Sequence, residues 1–343
     1  MNRRRFVVST LSAASLTVVG SSRVHAASRW PDTHRAEPGP GRAPSVMPPQ
    51  SRHLIVIELA GGNDGLNTVV PVTDPLYRRL RPTLALDATQ TVPLDGTRHL
   101  HVALTPLLPL WRAGEFAIVE GVGARGPGLG HFRAAQVRRS GSRVDVHQHD
   151  DWLDRALAAQ AAAGVPAGTV WRPNGGGNAA PAHAGRFSDV AHRAADELIA
   201  TSGMSVMRLT VPGFDTHCRQ GVRHATALTE LAGGIAVLHR RLQRAGRWND
   251  VVIMTTSEFG RAAAENAEGG TEHGGAAPQL LLGGHLRGGF HGVPPRLDAH
   301  GGTIAPGVDH RRVLAAILES WWGMKPAAVL ADAPAALPGL FRV

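Results

Sequence analysis

Leu54-Ile55-Val56-Ile57-Glu58-Leu59 runs straight into Ala60-Gly61-Gly62-Asn63-Asp64-Gly65, and the class of fold follows from this one stretch. A short apolar, β-branched run closed by glycine reads as a strand buried on both faces, which is the habit of parallel sheets. The same grammar recurs twice. Val206–Val211 runs into Gly213-Phe214-Asp215-Thr216-His217, and Val251–Thr256 runs into Ser257-Glu258-Phe259-Gly260-Arg261. In open α/β sheets the site lies beyond the carboxyl ends of the strands. The pattern therefore predicts that Asp64, Asp215, His217 and Glu258 converge in one crevice. Carboxylates gathered that closely repel one another unless a cation neutralises them.

Working outward, Phe116–Val119 and Gln279–Leu282 are two more short strands, each followed by glycines. Leu228, Leu231, Ile235, Leu238 and Leu242 fall on one helical face, with His239, Arg240, Arg241 and Arg244 on the wet side. Val313, Leu314, Ile317, Leu318 and Trp321 make a similar stripe near the C-terminus; both stripes read as core packing. Strands alternating with helices argue for an α/β fold with a mostly parallel sheet between helical layers. Residues 51–343 are expected to form a single domain. The stretch from about 158 to 184 is rich in Ala, Gly and Pro, and reads as a surface excursion.

The first 26 residues read as an address. Arg3-Arg4-Arg5 opens a basic start, an apolar stretch follows to about Gly20, and Val24-His25-Ala26 supplies small residues for cleavage. That order marks a secretory signal, and the paired arginines point to the twin-arginine export machinery, with a periplasmic or extracellular destination; the competing readings are a basic nucleic-acid-binding arm or an uncleaved membrane anchor. The apolar stretch is too short and too polar for a transmembrane helix. Residues 27–50, Pro- and Arg-rich, read as a flexible lead. Cleavage removes four arginines and no acidic residue, so the net charge of +9 becomes +5. With no dense basic run and few aromatics, nucleic-acid binding is excluded as a function class, while attraction to an anionic substrate is allowed. Cys218 is the only cysteine, so no internal disulfide forms.

Alternate residues on an extended segment share a side, so Asp215 and His217 can reach one ion; this oxygen–imidazole pair suits zinc or manganese. The competing reading is a turn with a capping aspartate. In Gly269-Gly270-Thr271-Glu272-His273-Gly274-Gly275 the glycines leave His273 unobstructed; the competing reading is a loop with a solvated histidine. Gly61–Asn67 lacks the G-x-G-x-x-G spacing of a dinucleotide loop. Its chemistry reads instead as Asp64 for metal and Asn63 or Asn67 for an oxyanion, or else as a tight turn. Arg261 reads as a clamp for an anionic oxygen, or as a surface arginine.

Taken together, these motifs resemble the bacterial domain-of-unknown-function family numbered 1501, exported relatives of the alkaline phosphatase and sulfatase superfamily. The resemblance rests on Gly61–Thr68, Tyr77 with Arg81-Pro82, His131-Phe132, Gly213–His217, Ser257–Arg261 and Gly270–Gly274. It implies an alkaline-phosphatase-like fold and one or two divalent ions (zinc, manganese or calcium). It also implies ester substrates of phosphate or sulfate, carried on an anionic small molecule or glycan. By the same resemblance Asp64, Asp215, His217, Glu258 and His273 hold metal, Asn63 and Arg261 touch substrate, and a metal-bound water or Thr68 stands in as nucleophile. Departures matter. Gly130 stands where many relatives have serine, Glu272 where they have aspartate, and His310 where they have an aromatic; the middle, from about Asp151 to Phe187, is short. Two functions follow: an exported metal-dependent ester hydrolase, or a non-catalytic exported protein of the same fold that binds a metal, a glycan or a surface partner.

Overall fold

The computed structural model describes residues 52–126, 128–165, 168–173, 186–201, 203 and 205–342. The expected signal over 1–26, the lead over 27–50 and residues 174–184 of the expected excursion lie outside the described residues. In chain order the first elements are β1 (His53–Leu59), α1 (Gly65–Thr68), β2 (Val69–Pro71), α2 (Pro75–Leu80), β3 (Thr91–Pro93) and β4 (Arg98–His101). Next come α3 (Leu108–Arg112), β5 (Phe116–Gly123), α4 (His131–Ser140), α5 (Trp152–Ala162), β6 (Thr169–Trp171) and α6 (Phe187–Ala200). The chain continues through β7 (Ser205–Val211), α7 (Gln220–Arg244), β8 (Val251–Ser257), β9 (Ala277–Leu282), β10 (Gly289–Gly292), β11 (Val308–Asp309) and α8 (His310–Ala316).

Among the described residues the main sheet has eight strands in the order β10-β5-β9-β8-β1-β7-β6, with β11 also paired to β5. The run Leu54–Leu59 lies in its central strand: β1 pairs in parallel with β7 on one side and β8 on the other. All five expected strands are present. β9 alone runs antiparallel to its neighbours β5 and β8. The reason is connectivity. A parallel return needs a crossover, usually helical, and no helix lies between β8 and β9. The linking residues 258–276 therefore stay at the carboxyl edge of β8, which brings His273 back over the strand ends. A small antiparallel sheet, β2-β4-β3, stands apart.

The two faces of β1 enter different cores. Ile55, Ile57 and Leu59 pack with α6 and α7, whose Leu228, Leu231, Ile235, Leu238 and Leu242 are all buried. Leu54 and Val56 pack with α5, α8 and the π-helical turn Ile317–Trp321 that continues α8. Where α6 crosses α7, a Cβ on Gly234 would lie 2.2 Å from the Phe187 ring, so only glycine lets the two helices approach. Trp321 and Trp322 donate their indole N–H groups to the carbonyls of His53 and Arg52 at 3.0 and 3.1 Å, pinning the start of β1. The segment from about 158, expected as an excursion, instead holds the end of α5 and the edge strand β6. Alanine is the strongest helix former, and Leu153, Ala156 and Gln160 are buried on one face of α5. Among the described residues no helix is long and apolar enough to cross a membrane.

Candidate metal centre

In register, Leu59 of β1 sits opposite Val211 of β7 and Ser257 of β8, so the three strands end together. The loops that follow interlock. Gly61 has a φ of +112°, and a Cβ there would lie 2.3 Å from the backbone nitrogen of Asp215, so the β1 loop needs glycine to lie on the β7 loop. Arg261 completes the lock from the β8 side. Its buried guanidinium donates to the carbonyls of Gly61, Gly62, Phe214 and Thr271, and at 2.7 Å to Asp215 Oδ1. Four carbonyls and a carboxylate consume its donors, so Arg261 positions Asp215. This corrects the expectation that it clamps substrate.

Asp215 lies at the centre of a group with His131 and His273, one donor atom of each lying within 4.8 Å of the others. His131 Nε2 is 3.7 Å from Asp215 Oδ2, and His273 Nε2 is 3.7 Å from Asp215 Oδ1. His217 stands alongside, its Nε2 3.0 Å from both Asp215 Oδ1 and His273 Nε2. Donors around one tetrahedral ion with bonds of about 2.1 Å lie roughly 3.4 Å apart, so these separations suit an ion. One imidazole is braced from behind: His131 Nδ1 lies 2.6 Å from Glu258 Oε2, whereas the exposed Glu272 carboxylate comes only to 3.5 Å from His217 Nδ1. A carboxylate on one ring nitrogen fixes the tautomer and leaves the other nitrogen's lone pair facing the site. Burial pulls Asp215 upward, but the hydrogen bond and charge of Arg261, with His217 and His131, hold its carboxyl below the usual range. Burial, with Arg261, His131 and His217, pushes His273 below the ordinary imidazole value, favouring the neutral form that binds metal.

The other expected site residues are placed differently. Asp64 is fully buried; its oxygens take two hydrogen bonds from Arg81, at 2.6 and 2.9 Å, and one from Gln220 at 2.5 Å. Burial pulls its carboxyl up, but Arg81 outweighs that and holds it low. With both oxygens committed inside the protein, Asp64 is no member of the exposed donor group. Thr68 is buried too, its hydroxyl 2.7 Å from the Asp64 carbonyl oxygen and 2.9 Å from Asn63 Oδ1. Asn63 Oδ1 also meets His224 Nε2 at 3.0 Å, and burial pushes His224 down to about 4. Thr68 and Asn63 therefore belong to a closed, buried polar network and not to the exposed donor group. Glu258 reaches His131 and the Gly61 N–H, so it braces a donor. His131 is the donor that strand-end reasoning passed over, because it opens α4 and follows no strand. The signal for it was the glycine-rich approach Gly126–Gly130.

A cavity of about 460 Å³ opens beside the group, its wall including His131, Phe132, Ala135, Arg138, Arg139 and Glu258. Beneath it runs a ladder of charge that explains Glu58, the one acidic residue of β1. Arg139 and Arg208 both bind Glu58, and Arg208 also binds Asp151.

A family model described as "Protein of unknown function (DUF1501)" matches residues 144–332. A comparison with curated proteins finds no match. Among solved structures, Ps i-CgsB in complex with k-i-k-neocarrahexaose is similar at a TM-score of 0.46 and 10% identity, over 84% of this chain and 75% of that one. The lipoteichoic acid synthase LtaP from Listeria monocytogenes follows at 0.45 and 8%, over 83% and 75%. A protein in the alkaline phosphatase superfamily from Vibrio parahaemolyticus is similar at 0.38 and 10%, over 75% and 67%.

Proposed function

The chain belongs to the DUF1501 family, and we propose that it is an exported, metal-dependent hydrolase of phosphate or sulfate esters. The observation that carries this reading is the His131–Asp215–His273 group at the carboxyl ends of three adjacent strands, with His131 backed by Glu258. Two imidazoles and a carboxylate are the donor set of a hydrolytic zinc-type site. A divalent ion bound there supplies Lewis acidity to the ester oxygen and acidifies a water.

The chain's own residues do the rest. His131, Asp215 and His273 hold the ion, and His217 offers a fourth donor. Glu258 orients the His131 imidazole, and Arg261 aims Asp215. The hydroxyls near the group are engaged: Thr68 is buried, and Ser257 accepts from the Asn63 N–H at 2.8 Å while donating to the Phe259 carbonyl at 2.7 Å. Water is therefore the nucleophile of this reading. Withdrawal of Asp64 into its ion pair with Arg81 favours a single ion. Export is supported by the paired arginines and cleavage-like Val24-His25-Ala26 of the sequence.

The test is elemental analysis of the purified chain beside turnover of p-nitrophenyl phosphate and sulfate. One bound ion, lost together with turnover in Asp215→Ala and His131→Ala, is the expected result. One observation favours the non-catalytic reading: Gly130, the position of the family's serine, offers no side chain to attack an ester. Bound metal with no turnover across a broad ester panel would establish that second reading.

A further inference from the structure

The cavity wall carries two arginines, and they differ in what they bind. Arg139 is spent, its Nε 3.0 Å and its Nη2 2.9 Å from the two oxygens of Glu58. Arg138 donates only its Nε, to the Glu258 carbonyl at 3.3 Å, and among the described residues its two terminal nitrogens hold no hydrogen bond. The carboxylate whose charge acts on it, Asp309, is itself clamped by Arg311 at 2.6 Å, and the ring of His310 faces it as well. His131, Ala135 and Arg138 follow at i, i+4 and i+7 on α4, one helical face that lines the cavity. The bond from Arg138 Nε to the Glu258 carbonyl ties its guanidinium to the residue whose carboxylate braces His131.

We propose that Arg138 is the oxyanion-holding residue of this cavity. The ligand is a compact monoester of phosphate or sulfate, its tetrahedral anion lying between the Arg138 fork and the His131–Asp215–His273 group. This inference rests on the metal-dependent reading above and names the residue that recognises its substrate. A guanidinium fork presents two parallel N–H groups to two oxygens of such an anion, and a half-buried charge without a carboxylate partner is stabilised by acquiring one. The cavity volume is that of a small-molecule site. The sequence points to Arg261 for this work, but that strand-end arginine is saturated, and the helix arginine carries the open donors.

Calorimetric titration of the metal-loaded protein with inorganic phosphate, and separately with sulfate, tests this. Wild type is expected to bind at least one of them, which also distinguishes the two ester classes. Arg138→Gln is expected to weaken that binding about tenfold or more, Arg138→Lys by less, with bound metal unchanged in both. Phenylglyoxal labelling of the wild-type chain with peptide mass spectrometry needs no variant: the bound anion should shield Arg138. Equal affinity in Arg138→Gln, no shielding of Arg138 at saturating anion, or a wild type that binds neither anion overturns the inference. A wild type that carries no metal yet binds anion through Arg138 sinks the hydrolase reading and leaves this one standing.

Discussion

Glu258 Oε2 lies 2.6 Å from Nδ1 of His131, while the Gly61 N–H holds the other oxygen of the same carboxylate at 3.2 Å. One side chain thus ties the β1 loop to the first residue of α4 and turns Nε2 of His131 toward Asp215. Glu258→Ala removes no proposed donor yet frees the ring. Loss of such a bracing partner lowers metal affinity by about 10–100-fold. Competition with a zinc-indicator dye at pH 7.5 is the measurement, and a variant that keeps wild-type affinity refutes the bracing role.

Asp64 and Arg81 form a fully buried ion pair that reaches across the fold, because Arg81 also donates to the carbonyls of Ala262 and Ala263 at 2.9 and 2.8 Å. Asp64→Asn leaves the guanidinium buried without its counter-charge, which costs about 3–5 kcal/mol. Urea unfolding is expected to show that loss, while the folded variant keeps the full metal content of wild type. Metal loss from the folded variant would return Asp64 to the donor set. The sign with pH follows from its lowered carboxyl. The contribution is present above the unfolded-state value near 4, and disappears as pH falls below it.

The strand ends were legible because strands buried on both faces must be almost wholly apolar, so Asp64, Asp215 and Glu258 stood out where those runs stopped. Direction was not legible. Leu280, Leu281 and Leu282 look the same in a parallel or an antiparallel strand, and the missing helix after Glu258 was the only clue to β9. The edge strands β6, β10 and β11, of three, four and two residues, are too short for any periodicity to reveal. The fate of each polar residue hung on distant partners: Arg81 lies 17 positions from Asp64, and Gln220 lies 156. A motif fixes where a carboxylate emerges from the sheet, whereas long-range pairing decides whether it faces solvent or is neutralised inside.

His224 gives a prediction on pH. It is buried against Asn63, and burial pushes its value down to about 4, so the folded ring is neutral at pH 5. The unfolded ring has a value of about 6.5. Between those values the unfolded chain binds a proton that the folded chain refuses, so stability falls as pH drops from about 6.5 toward 4. At pH 5 the loss is about 2 kcal/mol, from about 1.4 kcal/mol per unit. His224→Gln keeps a donor for Asn63 Oδ1 and does not titrate. Urea midpoints at pH 7 and pH 5 should therefore converge in the variant more than in wild type; identical pH dependence in the two proteins counts against the buried neutral ring.

Gly130 precedes His131 at the N-cap of α4, with no side-chain cap, and a Cβ built there meets no atom within 4 Å. A serine therefore fits without displacing anything, and its hydroxyl can accept from the first-turn N–H groups of the helix. Serine in place of glycine at an N-cap is worth a few tenths of a kcal/mol, so Gly130→Ser should raise Tm by about 1 °C. With water as nucleophile, ester turnover in Gly130→Ser stays within about twofold of wild type, because no step waits on a side-chain hydroxyl. Burst kinetics and a mass shift on residue 130 after brief exposure to a slow ester are the measurements. Turnover that appears only when serine is present assigns attack to that hydroxyl, and leaves the wild-type chain a metal-binding protein that has lost its nucleophile.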